Sequence, residues 1–217
     1  MTNCTTAHND LASRGGTQQT IDNFHLFHEN RNHNWQSPIH DRVELPDPTH
    51  PETDKIQKYI NSKESDIYHK HQLLYGLYQA SKAIVAHKHC FIVEGYQDVL
   101  AMHQAGVRET VAVCGTALTQ DQVRLLRRFN DQAILMLDGD GAGQKAMLAH
   151  LKVLLQAGMY VDMVVLPDGQ DPDEFILGHL QEHPDASRES LLAAFAEYQH
   201  DWLTHCCASL AHCDAKT

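Results

Sequence analysis

The 217-residue chain has no apolar run approaching the ~18 residues that a membrane-spanning helix requires, and no charged-then-apolar leader at its amino terminus. No membrane is therefore expected as a partner, and the expected location is the cytoplasm. A CxxC pair is also missing. The six cysteines, Cys4, Cys90, Cys114, Cys206, Cys207 and Cys213, form no framework of paired spacings and read as reduced thiols, Cys90 and Cys114 within core strands. There is no HExxH among the 17 histidines, and His205-Cys206-Cys207 with His212-Cys213 match no zinc template. GxGxxG, GxxxxGK[ST] and GxSxG are absent, which removes the dinucleotide, P-loop and nucleophile-elbow readings. Basic residues are scarce. With 17 Lys and Arg against 28 Asp and Glu, the formal charge is −11, so bulk charge alone would not hold a nucleic acid.

What the chain does have is a regular alternation of short apolar runs and helical patterns. Strands are expected at 89–93, 110–113, 133–137 and 160–166, and helices at 97–104, 120–128 and 142–155. That order means βαβ units and a four-stranded parallel sheet covered by helices on both faces. Before it, Leu73, Leu74, Leu77, Tyr78, Ala80, Ile84 and Val85 recur at helical spacing and predict one helix over 67–87. After it, Leu191-Leu192-Ala193-Ala194-Phe195 continues as a helical tail. Residues 1–55 are rich in Asn, Thr, His, Pro and Asp without periodicity and read as a loosely ordered arm, closed by Pro46, Pro48 and Pro51.

Three of the four strands run out into acids. The run 133–137 stops at Asp138-Gly139-Asp140, where strand alternation sends both carboxylates to one side. By itself this pair could be an acidic turn capping the next helix. The first strand, however, ends in Glu94-Gly95-Tyr96-Gln97-Asp98, and the fourth leads into Asp171-Pro172-Asp173. In a parallel sheet all carboxyl ends share one edge, so these six acids are expected to converge there. Such a set suits hard divalent cations with oxygen ligands, which in pairs can clamp the oxygens of a phosphoryl transfer. Glu94 could act as a general acid or base or complete the metal shell, and the residues leave both roles open.

Taken together, Ile92-Val93-Glu94-Gly95-Tyr96-Gln97-Asp98-Val99, Asp138-Gly139-Asp140-Gly141-Ala142-Gly143 and Leu166-Pro167-Asp168-Gly169-Gln170-Asp171-Pro172-Asp173 resemble the Toprim domain of bacterial replicative DNA primases. Tyr59-Ile60-Asn61-Ser62, Tyr68-His69-Lys70 and Leu74-Tyr75-Gly76-Leu77 are similar to the segment joining the family's basic subdomain to its Toprim core. Asp41-Arg42-Val43 resembles a strand of that subdomain. The resemblance covers about residues 42–180. It implies catalytic Mg²⁺ or Mn²⁺ held by Glu94, Asp98, Asp138, Asp140, Asp171 and Asp173, with Glu94 catalytic. Lys58 and Lys70 fall where the family places contacts to nucleotide phosphates or nucleic acid. The implied function is metal-dependent nucleotidyl transfer, making RNA primers for DNA replication from a single-stranded DNA template and ribonucleoside triphosphates.

On this basis residues 1–55 are an arm with a remnant of the basic subdomain, 56–88 a connecting helical segment, 89–180 the Toprim domain and 181–217 a helical tail. No counterpart of the family's zinc-binding or helicase-binding domains is found, so a fragment without helicase contact is expected, and whether it is active by itself is left open by the sequence. Two further readings stand beside this one, a Toprim-type metal-dependent nuclease and a non-catalytic remnant that binds metal and nucleotide. Arg124, Arg127 and Arg128 could add nucleic-acid contacts or form a solvated face.

Overall fold

The computed structural model describes residues 17–24, 27–29, 34–37, 41–43, 59–60, 69–113, 117–137 and 141–202. The chain divides into two compact units, Met1–His69 and Lys70–Thr217. Within the first, helix α1 (Gln18–Phe24) begins after Thr17, whose Oγ1 accepts the Thr20 N–H at 3.2 Å. Strands β1 (Phe27–Glu29), β2 (Asn34–Ser37), β3 (Asp41–Val43) and β4 (Tyr59–Ile60) pair antiparallel in that order. This differs from the expectation of an arm without regular structure. Strands of two to four residues are too short to write an alternation into the sequence, so periodicity could not reveal them.

The second unit is built on buried strands. Strand β5 (Cys90–Val93) is buried at every position, the pattern of a central parallel strand covered on both faces. Strands β6 (Thr110–Ala112), β7 (Gln132–Leu137) and β8 (Tyr160–Val165) join it in the order β6-β5-β7-β8, all parallel. A fifth strand, β9 (Gln199–Asp201), runs antiparallel along β8, where a continuous helical tail is expected from the sequence. The sheet is therefore mixed and five-stranded. All three β9 residues are exposed and polar, so this edge strand carries no hydrophobic signature.

Helices α2 (Leu77–His87), α3 (Tyr96–Gln104), α4 (Gln120–Leu126), α5 (Gly141–Gln156), α6 (Pro172–Glu182) and α7 (Arg188–Ala196) cover the sheet. Alternation along the strands divides the core in two. Cys90, Ile92, Ala133 and Leu135 pack with Ala80 and Ile84 of α2, Val123 and Leu126 of α4, and Met147, Leu151 and Leu154 of α5. Phe91 points the other way, its ring 6.1 Å from that of Phe195 on α7, which in turn lies 5.5 Å from Phe175 of α6.

Helix α2 starts ten residues later than the spacing 67–87 predicts. Tyr75 is held as a β-bridge to Ala112, with N–H···O bonds of 2.9 and 3.1 Å in the two directions. Gly76 then turns the chain through the left-handed region at φ 77°, a conformation glycine adopts without a Cβ clash. Of the residues that suggested a longer helix, Leu74, Ala80 and Ile84 are buried, while Leu73, Tyr78 and Val85 are exposed.

Candidate metal centre

Strand order locates the site before any side chain is considered. From β5 the chain crosses to β6 on one side and then returns to β7 on the other, so β5 and β7 flank a topological switch point. In open α/β sheets the crevice outside the carboxyl ends at such a point is where ligands bind. Glu94 follows directly on β5. Leu137, the last residue of β7, directly precedes Asp138 in the chain.

The Glu94 loop is held by the start of α3. Asp98 Oδ2 accepts the Gly95 N–H at 2.8 Å, half of a capping box in which Gly95 is the N-cap residue. A Cβ on Gly95 would stand 3.1 Å from that oxygen, tighter than an ordinary contact, so a larger residue would make the Asp98 carboxylate give by a few tenths of an ångström. Asp98 is buried, and one of its oxygens is committed to fixing the backbone beside Glu94. Tyr96 of the same motif is buried edge-on against Tyr75, ring centroids 4.6 Å apart. Glu94 itself is half-buried, with Oε1 shut off from solvent.

Two strands across the sheet, β8 leads through a 3-10 turn, Pro167–Gly169, to Asp171, the N-cap residue of α6. Its Oδ1 accepts the Glu174 N–H at 2.7 Å, and Pro172 occupies the first helical position, where its missing N–H costs nothing. Asp173 sits half-buried in the first turn of the same helix. At strand spacing, the β5 and β8 ends lie about 10 Å apart, with the β7 end between them.

The residues expected at this edge thus divide into three groups. Glu94, Asp98, Asp171 and Asp173 lie at the carboxyl ends of β5 and β8. Asp138, Asp140 and Lys58 lie outside the described residues, and Lys70 opens the 3-10 turn Lys70–Gln72. Arg124 pairs with Asp121 at 2.6 Å, and Arg127 and Arg128 leave the far end of α4 toward the start of β7, at the opposite edge. Among the described residues, no three His, Cys, Asp or Glu side chains gather into a metal-binding group.

That opposite edge holds a buried acid that the sequence reading passed over. Glu109, just before β6, is fully buried and ion-pairs with Arg188 of α7. His89 Nε2 lies 3.4 Å from its Oε1 and His87 Nε2 3.9 Å from its Oε2. Burial alone would push this carboxyl up, but the hydrogen bonds from His89, its own backbone and Arg188, with the Arg188 charge, hold it below the usual carboxylate range. The partner comes from 79 positions along the chain, and nothing in the local pattern announces the pair.

Residues 91–176 match the Toprim-like family. The chain carries a Toprim-like domain. Curated relatives include DNA primases: that of Aquifex aeolicus is 47% identical over 123 residues, 57% of this chain and 25% of that protein. The Halalkalibacterium halodurans primase is 45% identical over 123 residues, 57% of this chain and 20% of its own length. The chain thus spans about a quarter or less of these relatives. Among solved structures, the zinc-binding and RNA polymerase domains of the Aquifex aeolicus primase align with a TM-score of 0.71 at 28% identity, over 88% of this chain and 55% of that one. A DnaG primase catalytic domain bound to single-stranded DNA aligns with a TM-score of 0.73 at 27% identity, over 93% of this chain and 74% of that one. These alignments cover more of the chain than the unit Lys70–Thr217 alone contains. Among the described residues, no helix is long and apolar enough to cross a membrane.

Proposed function

We propose that this chain is a primase-type nucleotidyltransferase core, which binds Mg²⁺ or Mn²⁺ at the carboxyl edge of its Toprim-like sheet and joins ribonucleotides on a single-stranded DNA template. The observation that carries the reading is the agreement of 47% identity to a DNA primase over 123 residues with a switch point flanked by Glu94. The donor chemistry fits, since every candidate is a carboxylate, the ligand type that hard divalent ions take. Glu94, Asp138 and Asp140, with Asp171 and Asp173 across the edge, would hold the ions. Asp171 uses Oδ1 for its helix and would present Oδ2. Bound there, divalent ions would neutralise the carboxylates and polarise the phosphoryl oxygens of an incoming nucleotide.

The chain's own residues have separate tasks in this reading. Asp98 acts through Gly95: by capping α3 it holds the loop in which Glu94 meets the ligand. Glu94 either ligates the metal or moves a proton at the attacking hydroxyl. Lys58 and Lys70 supply point charges for triphosphate or template phosphates.

Primer synthesis on single-stranded DNA with all four ribonucleotides and Mg²⁺ tests the proposal. Activity that falls on the order of 100-fold or more in Glu94→Gln, with the fold intact, supports it. Nicking of nucleic acid without nucleotides would instead identify a nuclease, and nucleotide binding without either product would mark a non-catalytic relative.

A further inference from the structure

The carboxyl end of α6 carries two histidines four residues apart, His179 in its last turn and His183 at the C-cap, where the backbone leaves the helix at φ −129°, ψ 77°. Their ring centroids are 4.9 Å apart and their planes are tilted by 55°. This spacing has a chemical meaning. An imidazole nitrogen bound at about 2.1 Å puts its ring centre roughly 3.2 Å from the metal, so two rings subtending about 100° at one ion have centres about 4.9 Å apart. The His183 N–H bonds to the His179 carbonyl at 2.9 Å, which fixes the backbone that presents both rings.

The surroundings favour a cation. His179 Nε2 is buried and has no hydrogen-bond partner, and an unsatisfied buried polar atom calls for an unseen ligand such as a water or an ion. The carbonyl end of a helix carries partial negative charge. Helix α6 contains no lysine or arginine, and the residues that flank His183 in the chain include the exposed acids Glu182 and Asp185. Two imidazoles make a borderline donor pair, suited to Zn²⁺, Ni²⁺ or Cu²⁺ rather than to Mg²⁺, with water completing the shell. Because α6 starts from Asp171 and runs eleven residues, the pair lies about 15 Å along the helix from the acidic edge.

We propose that His179 and His183 form a transition-metal site with two protein imidazoles, separate from the acidic edge in both place and donor chemistry. An ion there clamps the end of the helix whose other end is capped by Asp171, and so stabilises the folded chain by binding the native state alone. The assignment is independent of the primase reading.

The test uses the full chain and Cu²⁺ or Ni²⁺ alone as the probe, without Mg²⁺. Electron paramagnetic resonance of the Cu²⁺ adduct should show two coordinating nitrogens, falling to one in His183→Ala. Titration with Ni²⁺ should show a site weakened roughly tenfold or more in that variant, on the scale of losing a group that tunes or holds a metal. His183 is exposed, so the variant is expected to fold, and a circular dichroism melt without metal checks this. His200→Ala, an exposed histidine elsewhere, and Asp138→Asn should leave the Ni²⁺ affinity unchanged. Equal affinity and an unchanged nitrogen count in His183→Ala would overturn the site, as would loss of the signal in Asp138→Asn instead.

Discussion

Glu109 and Arg188 show how much a single buried pair can hold. Removing the acid in Glu109→Gln strands a guanidinium that is itself largely buried, and is expected to cost about 3 kcal/mol, read as a lowered urea midpoint. Because its folded pKa is depressed, Glu109 contributes stability that is present above the usual carboxylate range and is lost as the pH falls through the folded value. His103 acts at milder pH. Burial lowers its pKa to about 4, only partly opposed by the bond from Nε2 to the Thr110 carbonyl at 2.9 Å. The unfolded chain therefore takes up a proton near pH 6.5 that the folded chain refuses until about 4, and stability falls as the pH drops through that window. His150, buried in α5, shifts in the same direction. A His103→Gln variant should flatten the slope of unfolding free energy between pH 6.5 and 4 by up to about 3 kcal/mol across the window.

At the scale of elements, the three-residue link between Gly95 and Asp98 decides where β5 delivers its acid. Alanine at 95 suits the backbone at φ −110°, but its Cβ would press on the capping oxygen at 3.1 Å. Gly95→Ala should cost about 1 kcal/mol, comparable to losing a cap, and should weaken Mn²⁺ binding without removing any candidate ligand. Calorimetric titration of the variant checks this, and unchanged affinity would separate the cap from the metal. Helix α4 shows the same device in a purely structural role. Thr119 and Gln122 cap it reciprocally at 3.2 and 2.9 Å, and Gln122 Nε2 also donates to the Leu73 carbonyl at 2.7 Å. One side chain thus caps the start of a helix and ties down the segment that leads into Tyr75.

For the whole molecule, charge sets the terms of association. A chain of net charge −11 cannot bring a polyanion to a carboxylate edge without several repulsions. If that edge meets the substrate, binding of single-stranded DNA should require a divalent cation and weaken with added salt, because few basic contacts support it. Fluorescence anisotropy with Mg²⁺ and with chelator measures this. Equal binding under both conditions would move the nucleic-acid surface elsewhere, for instance to the edge where Arg127 and Arg128 lie. Residues 70–217, which contain a complete sheet and both halves of its core, should fold and melt cooperatively when expressed alone.

The parallel core is written in the local pattern of the chain. Strands β5 to β8 and the helices between them were legible to within one or two residues at most ends, because full burial on both faces leaves continuous apolar runs and helical periodicity leaves its own spacing. It also placed Glu94 and the Asp171 turn at strand ends, since parallel strands must end on one edge. Other features depend on contacts between distant parts of the chain. The start of α2 depends on a bridge from Tyr75 to a strand 37 residues later, β9 on an exposed edge beside β8, and the Glu109 pair on an arginine 79 residues away. Local pattern records which residues must be buried, whereas the choice of long-range partner is made only when the sheet assembles and each buried polar group must find one.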